Sequence, residues 1–289
     1  MSDSPVSVAA CAKLNLFLRV LAREASGYHC IETLFCLIDL SDDLTAVRSD
    51  TPGVTMNVSG AETGPPEDNL AVRAAEMVLT STGNRFGVSL KLTKRIPVQA
   101  GLGGGSSNAA AALRAVNELA GHAVPTHELL QFAARLGSDV PFFLSGARLA
   151  LGWGHGERLL RLPPLEPRAG LLVVPDTTVA TAEAYRWIDA AGPTRGLQRG
   201  SVAMTPDTLA SWSDIARLAG NDFEAPVFGH HEHIRAGFEA LVSTSPLMCR
   251  LSGSGSALFA VYRNPADRDT AQEMLGPKHG RLIPFETVS

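Results

Sequence analysis

The chain has 289 residues, of which 45% are hydrophobic and 19% are charged, and its formal net charge is −4. This length provides a substantial core, and the weakly acidic balance lacks the basic surface typical of proteins that bind nucleic acid. Four cysteines without metal-ligand spacing, and no apolar run near ~18 residues, predict a cytoplasmic protein without membrane or nucleic-acid partners.

Periodicity predicts the elements in chain order. Apolar or alternating segments predict strands at Ser7–Val20, Ile31–Asp39, Leu44–Arg48, Val54–Ser59, Gly87–Thr93, Gly170–Val174 and within Leu251–Tyr262. Helical spacing predicts helices that begin near Leu70 and cover Ala109–Ala120, His127–Leu136, Thr181–Ile188, Leu209–Leu218 and His233–Ser243, with a polar loop at Pro193–Pro206. The prolines of Leu162–Arg168 interrupt regular structure, so we predict a first domain at residues 1–166 and a second at 167–289.

A glycine-rich segment precedes the strongest predicted helix. Gly101 and Gly103–Gly105 are followed by Ser106-Ser107-Asn108 and then by an alanine-rich run. Glycines let backbone N–H groups approach a ligand closely, and a helix N-terminus attracts anions, so the segment favours a polyphosphate over the alternative of a flexible connector. Its spelling excludes a Walker A loop, because no lysine follows, and a G-x-G-x-x-G loop, because Ser106 stands in sixth place.

The string P-x-x-A-G-L-G-G-G-S-S-N-A-A-A at Pro97–Ala111 resembles the phosphate loop of the GHMP family of small-molecule kinases. Four further blocks follow the family's order, with Ser26 where Asp is usual before Gly-Tyr-His; they lie at Ala12–Leu16, Gly27–Phe35, Gly137–Phe143 and Leu251–Gly255. Within the family, these blocks resemble those of members whose acceptor is a methylerythritol joined to cytidine through a diphosphate.

The resemblance implies a two-domain α/β (α+β) GHMP kinase fold. Its N-terminal domain would be ribosomal-protein-S5-domain-2-like and carry the phosphate loop, and its C-terminal domain would be ferredoxin-like. The implied reaction is in-line transfer of a phosphoryl group from ATP, with Mg²⁺, to the 2-hydroxyl of the cytidine-linked acceptor, in the non-mevalonate route to isoprenoid precursors. The expected partner is therefore a small molecule, and the expected assembly is a monomer or a weak homodimer.

Two other functions stay open from the sequence. One is a GHMP kinase for mevalonate or homoserine, which the Gly27-Tyr28-His29 block disfavours because those substrates offer no base to stack. The other is a nucleotide-binding regulator without catalysis, which the presence of Lys13 and Asp139 disfavours.

The resemblance assigns the catalytic roles to two residues. Asp139 would accept the proton of the acceptor hydroxyl, and Lys13 would keep that carboxylate ionised and stabilise the developing alkoxide. Asn15 shares a strand face with Lys13 and would bind the acceptor together with Asp139. From the residues alone, Asp139 could instead cap a helix and Lys13 could point outward from its strand.

The resemblance also implies a clamp for cytosine. Tyr28 would stack on the base, His29 would meet its edge, and Tyr185 would form the second wall, with Thr181 one helical turn earlier. Tyr185 as an ordinary aromatic residue on a helix face is the alternative.

For ATP, the resemblance implies a phosphate loop and two residues near the adenine and ribose. The loop residues are Pro97, Ala100, Gly101, Leu102, Gly103, Gly104, Gly105, Ser106 and Ser107. Asn69 and Lys94 would lie near the adenosine, and their alternatives are a helix cap and a solvated strand end. No protein ligand for Mg²⁺ is assigned, although Ser107 is an option, and the cluster of His230, His231 and His233 suits a solvated helix start better than a zinc site.

Overall fold

The computed structural model describes residues 4–61, 64–192 and 204–289. Within these ranges the strands are β1 (Val6–Arg23), β2 (His29–Ser49), β3 (Val54–Ser59), β4 (Gly87–Thr93), β5 (Leu149–Gly154), β6 (Arg158–Leu162), β7 (Ala169–Val174), β8 (Met248–Leu251), β9 (Leu258–Val261) and β10 (Arg281–Glu286). The α-helices are α1 (Leu70–Ser81), α2 (Gly104–Leu119), α3 (Thr126–Leu136), α4 (Val140–Ser145), α5 (Thr181–Ala190), α6 (Trp212–Leu218), α7 (Glu224–His230), α8 (Glu232–Ser243) and α9 (Pro265–Leu275).

The chain forms two compact units that interleave along the sequence. The first comprises Met1–Ala12, Leu40–Val98 and Gly103–Ala147, and the second comprises Lys13–Asp39, Gln99–Leu102 and Arg148–Ser289. The predicted boundary at residue 166 divides the chain into two consecutive segments, whereas these units interleave. As a domain boundary, residue 166 stays a prediction.

The first unit is built around a crossover of two parallel strands. β3 pairs in parallel with β4, with α1 between them in the chain, and β4 pairs antiparallel with the Asp43–Ser49 part of β2. Parallel neighbours require such a crossover connection. The alanine-rich α2 is buried along most of its length and packs against α1 and α4, because small side chains allow helices to approach closely.

The second unit contains a complete antiparallel sheet. Its strand order is β10–β7–β9–β8, and α8 and α9 pack against these strands. Strand residues such as Leu171, Val173 and Leu258 form a core with Ile234 and Leu241 of α8. In the same unit, the first part of β2 pairs antiparallel with β5, and β5 with β6.

The strongest local patterns predict their elements well, and the structure corrects others. β3 and β4 have the predicted bounds. β2 is one strand where two were predicted, because Asp42, a polar residue between them, is fully buried and has its carboxylate paired inside the fold. Helix α2 begins at Gly104, inside the glycine run and before the predicted start at Ala109.

Several elements escaped prediction because they carry few periodic residues; they are β5, β6, α7, β8, α9 and β10. Most of the predicted loop at Pro193–Pro206 lies outside the described residues. Across the three described ranges, no helix combines the length and apolar character needed to cross a bilayer.

Candidate active site

The start of α2 presents bare backbone N–H groups. Gly103 occupies the N-cap position with a φ of 71°, and as a glycine it offers no side chain to cap this end of the helix. Gly105 is exposed, and a Cβ atom added there would meet nothing within 4 Å. Uncapped N–H groups and the positive end of the helix dipole suit an anion such as a phosphate group.

The preceding part of the glycine-rich loop needs glycine for a different reason. Gly101 has a φ of +77°, and an added Cβ would lie only 2.0 Å from the backbone oxygen of Ser252. Two donors converge on the Gly101 carbonyl oxygen, Lys13 Nζ at 2.8 Å and Ser252 Oγ at 3.0 Å. The loop is therefore held by close backbone packing and by Lys13, which a larger residue at position 101 would disrupt.

A buried polar cluster, which we call the loop support (Asp42, Lys94 and Asn108), connects the end of β4 with the start of α2. Lys94 Nζ forms an ion pair with Asp42 and donates to Asn108 Oδ1 at 3.1 Å, while Asn108 Nδ2 donates to Asp42 Oδ2 at 2.9 Å. The other carboxylate oxygen of Asp42 accepts from the backbone N–H groups of Arg95 and Ile96 at 2.7 and 2.9 Å. The solvated alternative for Lys94 is therefore wrong, and its place near the adenosine stays a prediction.

The loop support also contacts the glycine-rich loop itself. A Cβ added to Gly104 would lie 3.2 Å from Lys94 Nζ and 3.0 Å from a methyl group of Ile96. Sequence reasoning missed Asp42 and Asn108 as members of this site. Two sequence features could have indicated them: the polar run that contains Asp42, and the position of Asn108 directly after the two serines of the loop.

Lys13 is buried, with 3% of its surface exposed, so the outward-facing alternative is wrong. Its ammonium donates to Asn15 Oδ1 at 2.5 Å, and Asn15 Nδ2 donates to Thr33 Oγ1 at 2.8 Å. Thr33 in turn donates to the Phe17 carbonyl oxygen at 2.7 Å. This relay confirms that Lys13 and Asn15 share a face, and it adds Thr33, which the sequence did not single out.

The turn at Ser252–Gly255 lies beside Lys13. A Cβ added to Gly253 would come within 3.4 Å of Lys13 Nζ. Asn221 holds the turn through its Nδ2, which donates to the Gly253 carbonyl oxygen at 2.7 Å. The hydroxyl groups of Ser254 and Thr181 are 2.9 Å apart, so the turn brings the start of α5 to the same place.

His29 and Tyr185 meet directly. Their rings stack with centroids 4.5 Å apart and an interplanar angle of 15°, and His29 Nε2 lies 2.7 Å from Asp189 Oδ1. Tyr185 also packs edge-on against Phe223 at 4.9 Å. The His29 ring therefore covers one face of Tyr185. The role of Tyr185 as the second wall stays a prediction.

Tyr28 lies on the turn Glu24–Tyr28 between β1 and β2, which we call the Tyr28 turn, and is 64% exposed. Its ring stacks on that of His155 with centroids 5.0 Å apart. Glu24 Oε1 lies 3.2 Å from His155 Nε2 and accepts from the Cys30 thiol at the same distance. The hydrogen bonds from Cys30, Ser26 and His155 hold the pKa of Glu24 below its usual value.

The two remaining predicted residues lie in the first unit, at helix starts. Asp139 is half-buried at the N-cap of α4, and its side chain makes no capping hydrogen bond, so the capping alternative is wrong. Asn69 does cap α1, because its Oδ1 accepts from Ala71 N at 3.0 Å. Its proximity to adenosine stays a prediction.

The histidine cluster is held by an aromatic contact. His230 and His233 are exposed, and the His230 ring stacks on Trp187 at 4.1 Å. Burial and the neighbouring histidines lower the pKa of His231. In the ranges that the structure describes, no group of three or more His, Cys, Asp or Glu residues is placed to hold a metal ion.

Comparison with known proteins places this geometry in one family. The chain matches the GHMP kinases N terminal domain at residues 69–147 and the GHMP kinases C terminal domain at residues 207–282. It is 40% identical to the 4-diphosphocytidyl-2-C-methyl-D-erythritol kinase of Solibacter usitatus over 92% of this chain and 84% of the relative.

Solved structures agree with these matches. A crystal structure of a 4-(cytidine 5'-diphospho)-2C-methyl-D-erythritol kinase is 32% identical with a TM-score of 0.81, and the match covers 98% of this chain and 100% of that one. The homoserine kinase of Cytophaga hutchinsonii is 19% identical with a TM-score of 0.71, over 100% of this chain and 95% of that one, and shares the fold. The predicted two-domain fold is thus confirmed, and the chain belongs to the GHMP family of small-molecule kinases, in the group of the 4-diphosphocytidyl-2-C-methyl-D-erythritol kinases.

Proposed function

We propose that this kinase transfers the γ-phosphoryl group of ATP to the 2-hydroxyl of 4-diphosphocytidyl-2-C-methyl-D-erythritol. The observation that carries the proposal is the identity of 40% to a kinase named for this substrate, sustained over 92% of the chain. The uncapped N-terminus of α2 adds the anion-binding feature that a phosphoryl donor requires. A kinase for homoserine is less well supported, because the similarity to that enzyme extends only to the fold.

In this proposal the phosphate loop Pro97–Ser107 binds the phosphates of ATP. Phosphoryl transfer depends on positioning and charge neutralisation more than on covalent chemistry by the protein. The backbone N–H groups at the start of α2 supply donors, and Gly105 leaves room for close approach. When bound, Mg²⁺ would neutralise phosphate charge, held mainly by phosphates and water with Ser107 as the optional protein ligand.

Asp139 is proposed as the general base, and Lys13 as the cation that stabilises the developing alkoxide. Asp139 lies half-buried at the start of α4, inside the Gly137–Phe143 block that resembles the family's, and this match supports its role as the base. Lys13 is buried and oriented by Asn15, as a residue in a charge-stabilising role needs to be. Asn15 has its amide oxygen engaged by Lys13 and its amide nitrogen engaged by Thr33, which supports orientation of Lys13 as its main contribution.

The remaining assignments concern location and assembly. We propose that the enzyme acts in the cytoplasm on small molecules, without nucleic-acid or membrane partners, as a monomer or a weak homodimer. The modest net charge of −4 supports the absence of a nucleic-acid partner.

A substrate panel tests the function. Purified enzyme, ATP and Mg²⁺ are incubated with 4-diphosphocytidyl-2-C-methyl-D-erythritol, mevalonate or homoserine, and ADP release is followed. We expect turnover with the cytidine-linked alcohol alone. Turnover with mevalonate or homoserine and none with the cytidine substrate would overturn the proposal.

The role of Asp139 is tested by Asp139→Asn, which keeps the size of the side chain and removes the base. We expect kcat to fall about 10²–10⁴-fold, the usual contribution of a general base. Asp50→Asn, at an exposed turn residue of the same unit, is the control and should leave kcat unchanged. Full activity of Asp139→Asn would refute the assignment.

A further inference from the structure

Two hairpin turns of the second unit come together through strand pairing. β2 pairs antiparallel with β5 in a register that places Ile31 opposite Gly154. The residues just before β2 therefore lie beside the residues just after β5. This places Tyr28, from the first turn, against His155, from the second, although they are far apart in sequence.

His155 is itself held in place from two sides. Its backbone N–H donates to Glu157 Oε2 at 2.7 Å, and its ring nitrogen Nε2 lies 3.2 Å from Glu24 Oε1. Gly154 has a φ of +75° and lies so close to Glu157 that an added Cβ would be 2.8 Å from its carboxylate. The position of the imidazole is thus determined by both turns rather than by its own rotamer preference alone.

The Tyr28 turn is similarly closed by its own backbone. Glu24 N donates to the Tyr28 carbonyl oxygen at 2.7 Å, and Gly27 N donates to the Glu24 carbonyl oxygen at 3.0 Å. Tyr28 nevertheless buries little of its side chain, since it is 64% exposed. An exposed tyrosine on a turn samples several rotamers unless another group packs against its ring. Here the His155 ring packs against Tyr28.

We propose that His155 is a specificity-determining positioning residue, which stacks on one side of Tyr28 and holds the ring ready for the cytosine of the substrate. The proposal rests on the proposed function, because it assumes that Tyr28 receives a base. His155 acts through Tyr28 and takes no part in phosphoryl transfer. Glu24 also positions His155, since its carboxylate pairs with the imidazole and links it to the Tyr28 turn.

The kinetic test compares His155→Ala with His155→Phe. We expect His155→Ala to raise KM for 4-diphosphocytidyl-2-C-methyl-D-erythritol roughly two- to tenfold, the value of one aromatic contact, with KM for ATP unchanged. His155→Phe keeps a flat ring against Tyr28 and should restore most of the affinity. His127→Ala, at an exposed histidine of α3 in the first unit, is the matched control and should change neither constant.

A double variant shows whether His155 acts through Tyr28. In a Tyr28→Ala background, His155→Ala should cause no further rise in KM. An unchanged KM in His155→Ala, an equal rise in the Tyr28→Ala background, or a lowered KM would each overturn the proposal. The last result would mean that the imidazole occupies the place of the base.

Binding of cytidine 5'-diphosphate, measured by calorimetry, separates this proposal from the function itself. Absence of turnover by the wild-type enzyme would refute the proposed function. The dissociation constant for cytidine 5'-diphosphate would still test His155, and we expect it to rise by the same factor as KM in His155→Ala. An equal dissociation constant in the wild type and in His155→Ala would refute the role of His155.

Discussion

The loop support and the Tyr28 turn are each organised around a carboxylate, but the two carboxylates lie in opposite environments. Asp42 is fully buried and faces a buried lysine, an amide and two backbone N–H groups. The side chain of Glu24 is 39% exposed; it pairs with His155 and accepts hydrogen bonds from Ser26 and Cys30. An ion pair excluded from water is costly to break, whereas an exposed one contributes little to stability. We therefore expect the buried ion pair of the loop support to contribute more to stability than the exposed pairing of Glu24 does.

The largest expected effect comes from removing the buried carboxylate of the loop support. Asp42→Asn leaves the buried ammonium of Lys94 without its counter-charge, so we expect the free energy of unfolding to fall by about 3–5 kcal/mol in urea denaturation. Asp43→Asn is the matched control on the same strand, because Asp43 pairs with Arg95 at the surface with about half of each side chain exposed. It should cost less than about 1 kcal/mol. Equal losses for the two variants would contradict the distinction.

Two neighbouring glycines of α2 differ in what surrounds them, and this difference tests the packing of the loop support. Gly104→Ala places a methyl group against Ile96 and the pinned Lys94 ammonium, so we expect a loss of about 1–3 kcal/mol in stability. Gly105→Ala meets open space within a helix and should gain up to about 1 kcal/mol. The same methyl group lies where phosphates are expected, so KM for ATP should rise in Gly105→Ala. Stabilisation by both substitutions, in parallel thermal melts, would show that Gly104 is not packed as described.

The next effect comes from substitution of Tyr28, which should weaken substrate binding more than it lowers stability. Tyr28→Ala removes an exposed stacking surface, so KM for the cytidine substrate should rise by a factor that corresponds to about 1–3 kcal/mol. The free energy of unfolding should change by no more than about 1.5 kcal/mol, because the ring buries little surface apart from its contact with His155. Steady-state kinetics and denaturation of the same preparation provide the measurement. A large loss of stability with unchanged kinetics would assign Tyr28 a purely structural role.

The smallest effect probes Glu24 through a neighbouring thiol. The hydrogen bond to the Glu24 carboxylate raises the pKa of Cys30 above its usual value, because it stabilises the protonated thiol beside a negative charge. Glu24→Gln removes that charge, so the pKa should fall and alkylation of Cys30 by iodoacetamide near pH 8.5 should accelerate a few-fold. Cys36 is the internal control, since burial raises its pKa to about 12 and keeps it unreactive. Mass spectrometry after timed labelling distinguishes the two, and an unchanged rate at Cys30 would show that Glu24 does not control it.

The parts of the fold and site that could be predicted are those written in contiguous residues. Alternation alone located β3 and β4 to the residue, because each strand has a regular pattern between clear turn signals. The glycine run predicted a phosphate-binding loop before α2, which stays a prediction, and the capping preference of Asp68 or Asn69 located the start of α1. Asp42 shows where this reasoning fails. Its polar neighbourhood suggested a break between two strands, yet burial with Lys94 and Asn108 keeps β2 continuous.

By itself, the sequence determined the family, since short motifs encode local backbone geometry and chemistry. It also predicted an anion-binding loop and named Lys13, Tyr28 and Asp139 as candidates. Only the tertiary structure decided which groups face them. Asn15 and Thr33 orient Lys13, Asp189 meets His29 across 160 positions of sequence, and His155 meets Tyr28. The reason is physical: such contacts depend on strand register and on which polar groups are removed from water together, and neither is written in any one segment of the chain.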